Sequence, residues 1–401
     1  MGPLGSPFHH HTHIAVCSAL LVYLGGTRIT HLDTASKDID TTMTGVFMVA
    51  RNRVILPQQH LRSSGFITSY APLMDDQFQP ASVDLRLGEK AYRVPASFLP
   101  GKGFKVSERL ERLAMHEFNL RNSAVLERGC VYMVELAEEV ALPEHVSGRT
   151  NPKSSTGRLD LFARVITDEG MAFDQIPRGY QGPLYLELAP RTFSVRVATG
   201  TRLVQLRLTD HAHEGNVAQP KDQMNFSVDI TGFPASDFGL GTGLPPLIGF
   251  RARKHAGLID FDKPGTYDVL DFWEPVFVRS GSGVILDPDE FYILATAEHV
   301  EVPADQAAEM IAYDTDVGEL RVHYAGFFDP GFGMGATGGN GSRGVLEVRT
   351  HEVPFLIETG QIIGSLVFES LTELPEQLYG QDLSSNYQGQ NLKLAKQFKS
   401  F

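Results

Sequence analysis

Short apolar runs recur along the chain, separated by glycine and proline. Three of them are residues 130–136 (CVYMVEL), 184–188 (LYLEL) and 193–197 (FSVRV). Runs of this length, rich in β-branched and aromatic residues and bounded by turn formers, are typical of β-strands. The pattern therefore predicts many short strands.

Helical periodicity is scarce by comparison. The best case is residues 106–120, where Leu110, Leu113, Ala114 and Phe118 fall three or four positions apart. That spacing predicts one helix, and residues 57–63 predict a second, shorter one. A chain of many short strands and few helices indicates a mainly β fold, either a sandwich, a barrel or a jelly roll.

An internal repeat organises the chain. Eight residues recur 160 positions later: Leu126 as Leu286, Tyr132 as Tyr292, Glu138 as Glu298, Val140 as Val300, Pro143 as Pro303, Glu187 as Glu347, Gly200 as Gly360 and Leu206 as Leu366. One register held over about 80 residues is not expected by chance. The sequence thus predicts two copies of one β unit.

Prolines and glycines between residues 219 and 246 mark the connector between the copies. The predicted division is a tail at 1–47, a first domain at 48–215, a linker at 216–245, a second repeat at 246–370 and a C-terminal tail at 371–401. The N-terminal tail begins MGPLGS, which resembles a cloning remnant, and carries His9, His10, His11 and His13. We interpret it as disordered or foreign rather than as a metal site.

Composition narrows the possible functions. The chain of 401 residues has 35 Lys and Arg against 48 Asp and Glu, a formal charge of −13, which argues against a general nucleic-acid or membrane-surface binder. An anionic ligand would need a local basic site.

Cys17 and Cys130 are the only cysteines, too few for a disulfide framework or a cysteine-based zinc site. A reducing compartment, the cytoplasm, is expected, and no apolar stretch reaches the length of a membrane span.

Two features carry candidate chemistry. Residues 151–158 (NPKSSTGR) combine hydroxyls, a glycine and two cations, so this loop could hold phosphate oxygens or be an ordinary polar turn. It lacks the spacing of a P-loop. Glu187 lies among apolar neighbours on a predicted strand, where a carboxylate is either salt-bridged for structural reasons or a base with a raised pKa.

Five segments in this order resemble the dCTP deaminase branch of the dUTPase-like superfamily. They are residues 79–88 (QPASVDLRLG), 153–158 (KSSTGR), 179–187 (GYQGPLYLE), 200–206 (GTRLVQL) and 387–390 (YQGQ). The resemblance covers residues 55–210 well and the second repeat more weakly. The doubled architecture is similar to the tandem form of the family.

The resemblance implies two tandem dUTPase-like domains of the β-barrel or jelly-roll type, and a homo-oligomer with sites near subunit interfaces. The implied reaction is hydrolytic deamination of dCTP to dUTP and ammonia, which supplies dUTP for dTTP precursor synthesis. It implies Mg²⁺ on the substrate triphosphate, no zinc, and inhibition by dTTP or dUTP. A zinc deaminase requires a His/Cys set that two isolated cysteines do not supply.

The resemblance also implies roles for individual residues. Glu187 would be the general acid/base, Ser154 would position the attacking water, Arg158 would stabilise charge and hold Glu187, and Thr167 would contribute its backbone. The expected substrate contacts are Lys153, Ser155, Thr156 and Gly157 on the phosphate side, Asp174 at the deoxyribose, Tyr185 and Leu186 at the base, and Tyr379, Asn386 and Gln390 from a lid.

The chain departs from the family pattern at three places. Between Thr167 and Gly182 it is longer than the compact single-domain pattern, which bears on the placing of Asp174. Asn386 stands where a lysine is expected. The second repeat keeps Glu347 and a sugar-turn motif at 328–331 (FDPG), but it has Ala312, Asp314 and Asp316 in place of the Ser-x-x-x-Arg loop. Acidic residues there would repel a triphosphate. We therefore predict one active loop per chain, with a degenerate second repeat that supplies structure and a lid.

Two rival functions remain open from the sequence. A bifunctional dCTP deaminase/dUTP diphosphatase would also hydrolyse dUTP, although residues 174–177 (DQIP) lack the tyrosine that usually follows the aspartate of a dUTPase. A non-catalytic deoxynucleotide-binding regulator would keep the phosphate loop and would not need Glu187.

Overall fold

The computed structural model describes residues 54–213, 223–279, 283–312, 321–322, 326–335, 341–350, 353–381 and 387–401. At residues 312, 321 and 322 it describes the backbone alone. The N-terminal tail predicted at 1–47, with its histidines and Cys17, lies outside the described residues. So do Asp314, Asp316 and Asn386.

Within its described residues, the first half of the chain has 13 strands, three short α-helices and a 3₁₀ turn at Asp75–Gln77. The strands are β1 (Val54–Ile55), β2 (Ile67–Ser69), β3 (Phe78–Gln79), β4 (Ser82–Val94), β5 (His116–Asn119), β6 (Ala124–Leu126), β7 (Val131–Ala141), β8 (Val146–Pro152), β9 (Leu161–Thr167), β10 (Gln175–Ile176), β11 (Gln181–Pro190), β12 (Val195–Val197) and β13 (Arg202–Asp210). The helices are α1 (Gln58–Ser63), α2 (Val106–Leu113) and α3 (Ser154–Gly157).

The second half is also mainly β in the residues described. Its strands are β14 (Met224–Ser227), β15 (Leu247–Ala252), β16 (Ile259–Asp260), β17 (Trp273–Phe277), β18 (Val284–Leu286), β19 (Phe291–Val300), β20 (Gln306–Ala312), β21 (Arg321–Val322), β22 (Phe327–Phe328), β23 (Ser342–Arg349), β24 (Phe355–Ile357) and β25 (Ile362–Leu371). It also has α4 (Val269–Phe272) and a 3₁₀ turn at Ala235–Phe238. The prediction of a mainly β protein with a few short helices is confirmed. No helix within the described ranges is long and apolar enough to cross a membrane.

The predicted helix at 106–120 is correct only in its first half. Helix α2 ends at Leu113, and residues 116–119 form β5, which pairs antiparallel with the end of β4. Tertiary pairing therefore overrides the helical spacing of Phe118. The helix predicted at 57–63 is observed as α1.

Strand pairing repeats at the offset of 160. Strand β11 pairs with β7 so that Glu187 lies opposite Met133, and β23 pairs with β19 so that Glu347 lies opposite Ile293. The β6–β12 and β18–β24 pairs likewise match, as do β8–β13 and β20–β25. The sequence repeat therefore corresponds to a repeat of register, and it places Glu187 and Glu347 at equivalent positions of two similar sheets.

The two repeats share a continuous sheet. The short strand β1 lies between them, because it pairs antiparallel with β13 of the first repeat and parallel with β25 of the second. Part of the predicted linker also belongs to this sheet, since β14 pairs with β25 and buries Phe226. Arg207 on β13 is buried and reaches the second repeat, where its Nη1 donates to the carbonyl oxygen of Ala308 over 3.1 Å.

The last residues of the chain join the core. Leu392, Leu394 and Phe398 are buried, and the ring of Phe398 packs edge-on against Phe272 and Trp273 with centroids 5.5 and 5.9 Å apart. Burial of these side chains gives the tail an anchor beyond the YQGQ motif. The segment predicted as a lid is thus held at its far end by aromatic packing.

Candidate active site

The phosphate-type loop predicted at 151–158 spans the end of β8 and helix α3. The backbone N–H of Lys153 donates to the carbonyl oxygen of Leu203 on β13 over 2.9 Å, and Thr156 Oγ1 donates to the same oxygen over 2.7 Å. Thr156 and Gly157 are buried by this anchorage. The loop is therefore pinned to β13, and Lys153, Ser154, Ser155 and Arg158 line one cavity.

This cavity has a volume of about 350 Å³ and is lined by both repeats and by the tail. Its polar lining includes Lys153, Ser154, Ser155, Arg158 and Arg202 from the first repeat, Asp329 and Glu347 from the second, and Tyr379, Tyr387, Gln390 and Lys396 from the tail. Six of the residues predicted for the site, Lys153, Ser154, Ser155, Arg158, Tyr379 and Gln390, are thus brought together. Glu347 is the glutamate that lines the cavity with them, and Asp76, Asp84, Asp262 and Asp329 also line it.

Glu347 projects from β23 and faces Arg158. Both side chains are almost fully buried, and Glu347 Oε1 lies 3.8 Å from Arg158 Nε. Burial raises the pKa of Glu347 to about 8, against the opposing effect of the Arg158 cation. A carboxyl that titrates near neutrality can both accept and return a proton, which is what general acid/base catalysis requires.

The tail covers Arg158 from the other side. The guanidinium of Arg158 lies 4.0 Å from the ring centroid of Tyr387, and its Nη2 donates to Gln390 Oε1 over 3.0 Å. The hydroxyls of Ser155 and Tyr387 are hydrogen-bonded to each other. Stacking and hydrogen bonds therefore fix the plane of the Arg158 guanidinium beside Glu347.

Asp329 occupies the motif that resembles the family's sugar turn. It is buried, and Arg207 of the first repeat approaches it, with Nη2 3.4 Å from Oδ1. Burial raises the pKa of Asp329, and the Arg207 cation opposes this rise. The following Gly331 has φ of +92°, and a Cβ there would lie 2.8 Å from Leu378 Cβ, so the turn requires glycine.

Three cations converge on another part of the cavity wall. Lys153 forms an ion pair with Asp84, and Arg202 Nη2 lies 2.8 Å from Asp76 Oδ1. Lys396 has its pKa lowered, first by burial and then by the neighbouring Lys153 charge. Several cations that line one cavity and act on each other are a feature of anion sites, because a bound polyanion relieves their repulsion.

The structure does not bring Glu187 into this cavity. Glu187 Oε1 accepts a hydrogen bond from Arg164 Nε over 3.1 Å and is also contacted by Arg164 Nη2. The Arg164 guanidinium in turn lies 3.8 Å from the ring centroid of Phe173. The expectation that Glu187 shares one site with Ser154 and Arg158 is therefore not met within this chain. Glu187 pairs with Arg164 and does not line the cavity that Ser154 and Arg158 line.

The other residues expected to surround Glu187 stay with it in the first-repeat sheet, away from the cavity. Asp174 accepts hydrogen bonds from Thr150 Oγ1 over 2.8 Å and from the Val165 N–H over 2.9 Å, and burial raises its pKa to about 6. Thr167, Tyr185 and Leu186 are buried among core residues. Their substrate contacts stay predictions of the resemblance alone.

The sequence contained a signal for Glu347 that the residue-by-residue transfer did not use. The offset of 160 places Glu347 at the position of Glu187, and the FDPG motif places Asp329 in a sugar turn of the second repeat. Lys396 lies in no recognised motif, and Arg202 lies in the matching segment 200–206 but was assigned no role. Within the described ranges, no group of three or more His, Cys, Asp or Glu side chains is arranged to hold a metal ion.

Comparison with known proteins agrees with this architecture. The sequence model of the 2′-deoxycytidine 5′-triphosphate deaminase N-terminal domain matches residues 52–212, and that of the C-terminal domain matches residues 201–398. The crystal structure of 2′-deoxycytidine 5′-triphosphate deaminase from Agrobacterium tumefaciens is 49% identical, with a TM-score of 0.72 over 80% of this chain and 99% of that one. The chain belongs to the dCTP deaminase family. The recognition made from the five sequence segments is confirmed.

Curated relatives in the dCTP deaminase family match a shorter region. A "dCTP deaminase, dUMP-forming" of Halobacterium salinarum is 34% identical over 128 residues, 31% of this chain and 61% of its own length. Another of that name, from Methanobrevibacter smithii, is 32% identical over 136 residues, 33% of this chain and 62% of its own length. The chain thus spans about three fifths of the length of these relatives.

Proposed function

We propose that this chain is a dCTP deaminase that releases dUTP and ammonia, with Glu347 as its general acid/base and Arg158 as the partner of that glutamate. The observation that carries the proposal is the cavity in which the Ser-x-x-x-Arg loop of the first repeat meets Glu347 of the second. The family resemblance implies sites near subunit interfaces. Here the two repeats of one chain line the cavity together.

The proposed reaction replaces the 4-amino group of cytosine by oxygen. The Glu347 carboxylate takes a proton from water as the water oxygen bonds to C4, and the proton passes to N3 of the ring. In the resulting tetrahedral intermediate Glu347 takes the proton of the new C4 hydroxyl and passes it to the 4-amino group; the C4=O double bond then forms as the C4–N bond breaks and ammonia leaves. The sum is dCTP and water giving dUTP and ammonia, and Glu347 returns to its starting state.

Neighbouring groups support these proton transfers. Arg158 stabilises the ionised form of Glu347, which burial alone would disfavour. The Ser154 hydroxyl lines the cavity on the Arg158 loop and can orient the attacking water. Asp329 would accept a hydrogen bond from the deoxyribose, and the aromatic rings of Tyr387 and Phe332 would help exclude bulk water.

The triphosphate would bind where Lys153, Arg202 and Lys396 converge. Mg²⁺ commonly binds through substrate phosphates with one or two carboxylates, and it would neutralise phosphate charge here. Asp84 and Asp262 line this cavity, and the buried Oδ1 of Asp84 has no hydrogen-bond partner among the described residues. The donor chemistry therefore fits a triphosphate-bound Mg²⁺. Inhibition by dTTP or dUTP and a homo-oligomeric assembly stay predictions.

The first test is product analysis of purified protein incubated with dCTP, dCMP or dUTP and Mg²⁺. We expect ammonia and dUTP from dCTP in equal amounts. We expect no ammonia from dCMP, because it lacks the β- and γ-phosphates that the cations would bind. Recovery of dUMP from dCTP would instead favour the dUMP-forming activity that the names of several relatives record. If dCTP binds but releases no ammonia, the chain is a regulator rather than a deaminase.

Replacing Lys396 tests the assignment of the phosphate end. A charge-assisted hydrogen bond contributes roughly 1.5–3 kcal/mol, so we expect Lys396→Met to raise KM for dCTP by about 10–100-fold with a small change in kcat. Salt should also weaken dCTP binding less in the variant. The matched control is Lys399→Met, because Lys399 lies on the same tail and pairs with exposed Asp268. Equal KM values in both variants would contradict the assignment.

A further inference from the structure

A second buried ion pair lies directly behind Arg158 and Glu347. Asp160 follows Arg158 by two residues, Arg349 follows Glu347 by two residues, and Arg349 Nη2 donates to Asp160 Oδ2. Asp160 is fully buried and Arg349 is 5% exposed. The loop and the strand are therefore joined by two ion pairs. In the first, the loop supplies the cation and the strand the acid; in the second, the strand supplies the cation and the loop the acid.

The backbone at Asp160 shows that this contact is built into the loop. Asp160 has φ of +52°, in the left-handed region, which aspartate and asparagine tolerate better than most residues. Its carboxylate also accepts a hydrogen bond from Thr192 Oγ1 over 2.6 Å, and Arg349 Nη2 donates to the same hydroxyl over 2.9 Å. The Asp160 carboxylate is thus held by Arg349 and Thr192, which also contact each other, at the point where the loop turns into β9.

The pair is specific to the combination of repeats that forms the cavity. At the offset of 160, the first-repeat counterpart of Arg349 is Ala189. If the loop lay instead against the first repeat's own strand, Asp160 would face alanine and stay buried without a cation. A buried carboxylate without a cation is strongly destabilising, so the ion pair disfavours that alternative packing.

We propose that Asp160 and Arg349 are positioning residues: their ion pair locks the Arg158 loop onto the Glu347 strand and sets the charge around the catalytic carboxylate. The inference rests on the proposed function for its kinetic readout. Among the described charged groups, those that act on Glu347 are Arg158 and Asp160, both on the facing loop. Arg158 lowers the pKa of Glu347 and Asp160 raises it.

The test is the pH profile and the split between kcat and KM in substituted enzymes. Asp160→Asn keeps the left-handed backbone and removes the charge, so the acidic limb of the kcat profile should move down by about one pH unit. Arg349→Met should lower kcat by about 10-fold or more with KM for dCTP within about threefold, because neither residue lies at the phosphate end. Arg349→Lys should recover part of the loss.

The control removes a different ion pair between the repeats. Arg149 Nη1 lies 2.9 Å from Glu309 Oε2, and neither residue lines the cavity, so Arg149→Met should leave the limb and kcat unchanged. The proposal is overturned if the acidic limb of the kcat profile does not move in Asp160→Asn. It is also overturned if Arg349→Met raises KM for dCTP and leaves kcat unchanged. An Arg349→Met protein that does not fold leaves Asp160→Asn and Arg349→Lys to decide.

A spectroscopic titration separates this proposal from the proposed function. The infrared carboxyl band of Glu347, obtained by subtracting the Glu347→Gln spectrum in the wild-type and in the Asp160→Asn background, reports its protonation without turnover. A wild-type chain that releases no ammonia from dCTP contradicts the function. A Glu347 band that titrates at the same pH in both backgrounds contradicts the role of Asp160.

Discussion

We expect Glu347→Gln to abolish ammonia release from dCTP and Glu187→Gln to retain it. A glutamine of nearly the same shape cannot take a proton from water, and loss of general acid/base catalysis lowers kcat by about 10²–10⁴-fold. Glu187 pairs with Arg164 outside the cavity, so its neutralisation should leave kcat close to wild type. The measurement is initial-rate ammonia release at saturating dCTP, and the two variants are matched because they change equivalent positions of the repeat.

The pH dependence of stability is the control that tests whether the Glu347→Gln protein is folded. The pKa of Glu347, about 8 in the folded protein, exceeds its ordinary value of 4.5. Between these pH values the folded state binds more protons than the unfolded state, so wild-type stability falls as pH rises through this window. The variant should lack that decrease and melt higher than wild type near pH 9. Loss of ammonia release in Glu187→Gln but not in Glu347→Gln would overturn the assignment.

Arg158→Met is the second large effect. An opposite charge close to a carboxyl lowers its pKa by about 1–3 units, so its loss should raise the pKa of Glu347 further above 8. At pH 7 the ionised fraction of Glu347, and with it kcat/KM, should fall by about 10–10³-fold, and the acidic limb should move to higher pH. Rates measured from pH 6 to 10 test both expectations.

Arg164→Met is the matched control for this substitution. It removes an arginine that also contacts a buried glutamate and packs on an aromatic ring, but at the first-repeat position outside the cavity. Its pH profile should follow the wild type. An Arg158→Met enzyme whose limb stays in place would mean that Arg158 does not act on Glu347.

Much of the fold could be predicted from the sequence because the relevant signals are local or periodic. Short apolar runs between turn formers predicted strands such as 130–136, and the offset of 160 anticipated the register that pairs Met133 with Glu187 and Ile293 with Glu347. The helix at 106–120 was wrong beyond Leu113, because pairing of residues 116–119 with β4 is a tertiary contact that periodicity does not register.

The site was predicted in part for a related reason. The loop residues Ser154 and Arg158 lie four positions apart in the sequence, so one short motif contains both. Their acidic partner comes from a strand almost 190 residues away, and nothing in the local sequence distinguishes Glu187 from Glu347. The choice depends on which repeat the loop packs against. That choice is made by long-range contacts such as the sharing of β1 by β13 and β25.

The shared strand β1 and the buried Arg207 make the meeting of the loop and Glu347 an intramolecular event. When two halves of a site come from separate subunits, the fraction of complete sites depends on protein concentration through mass action. Joining the halves in one polypeptide replaces that dependence by a fixed effective concentration. Under the proposed function, Glu347 alone carries the catalytic requirement, so substitutions at the equivalent Glu187 are expected to be constrained by stability and not by catalysis.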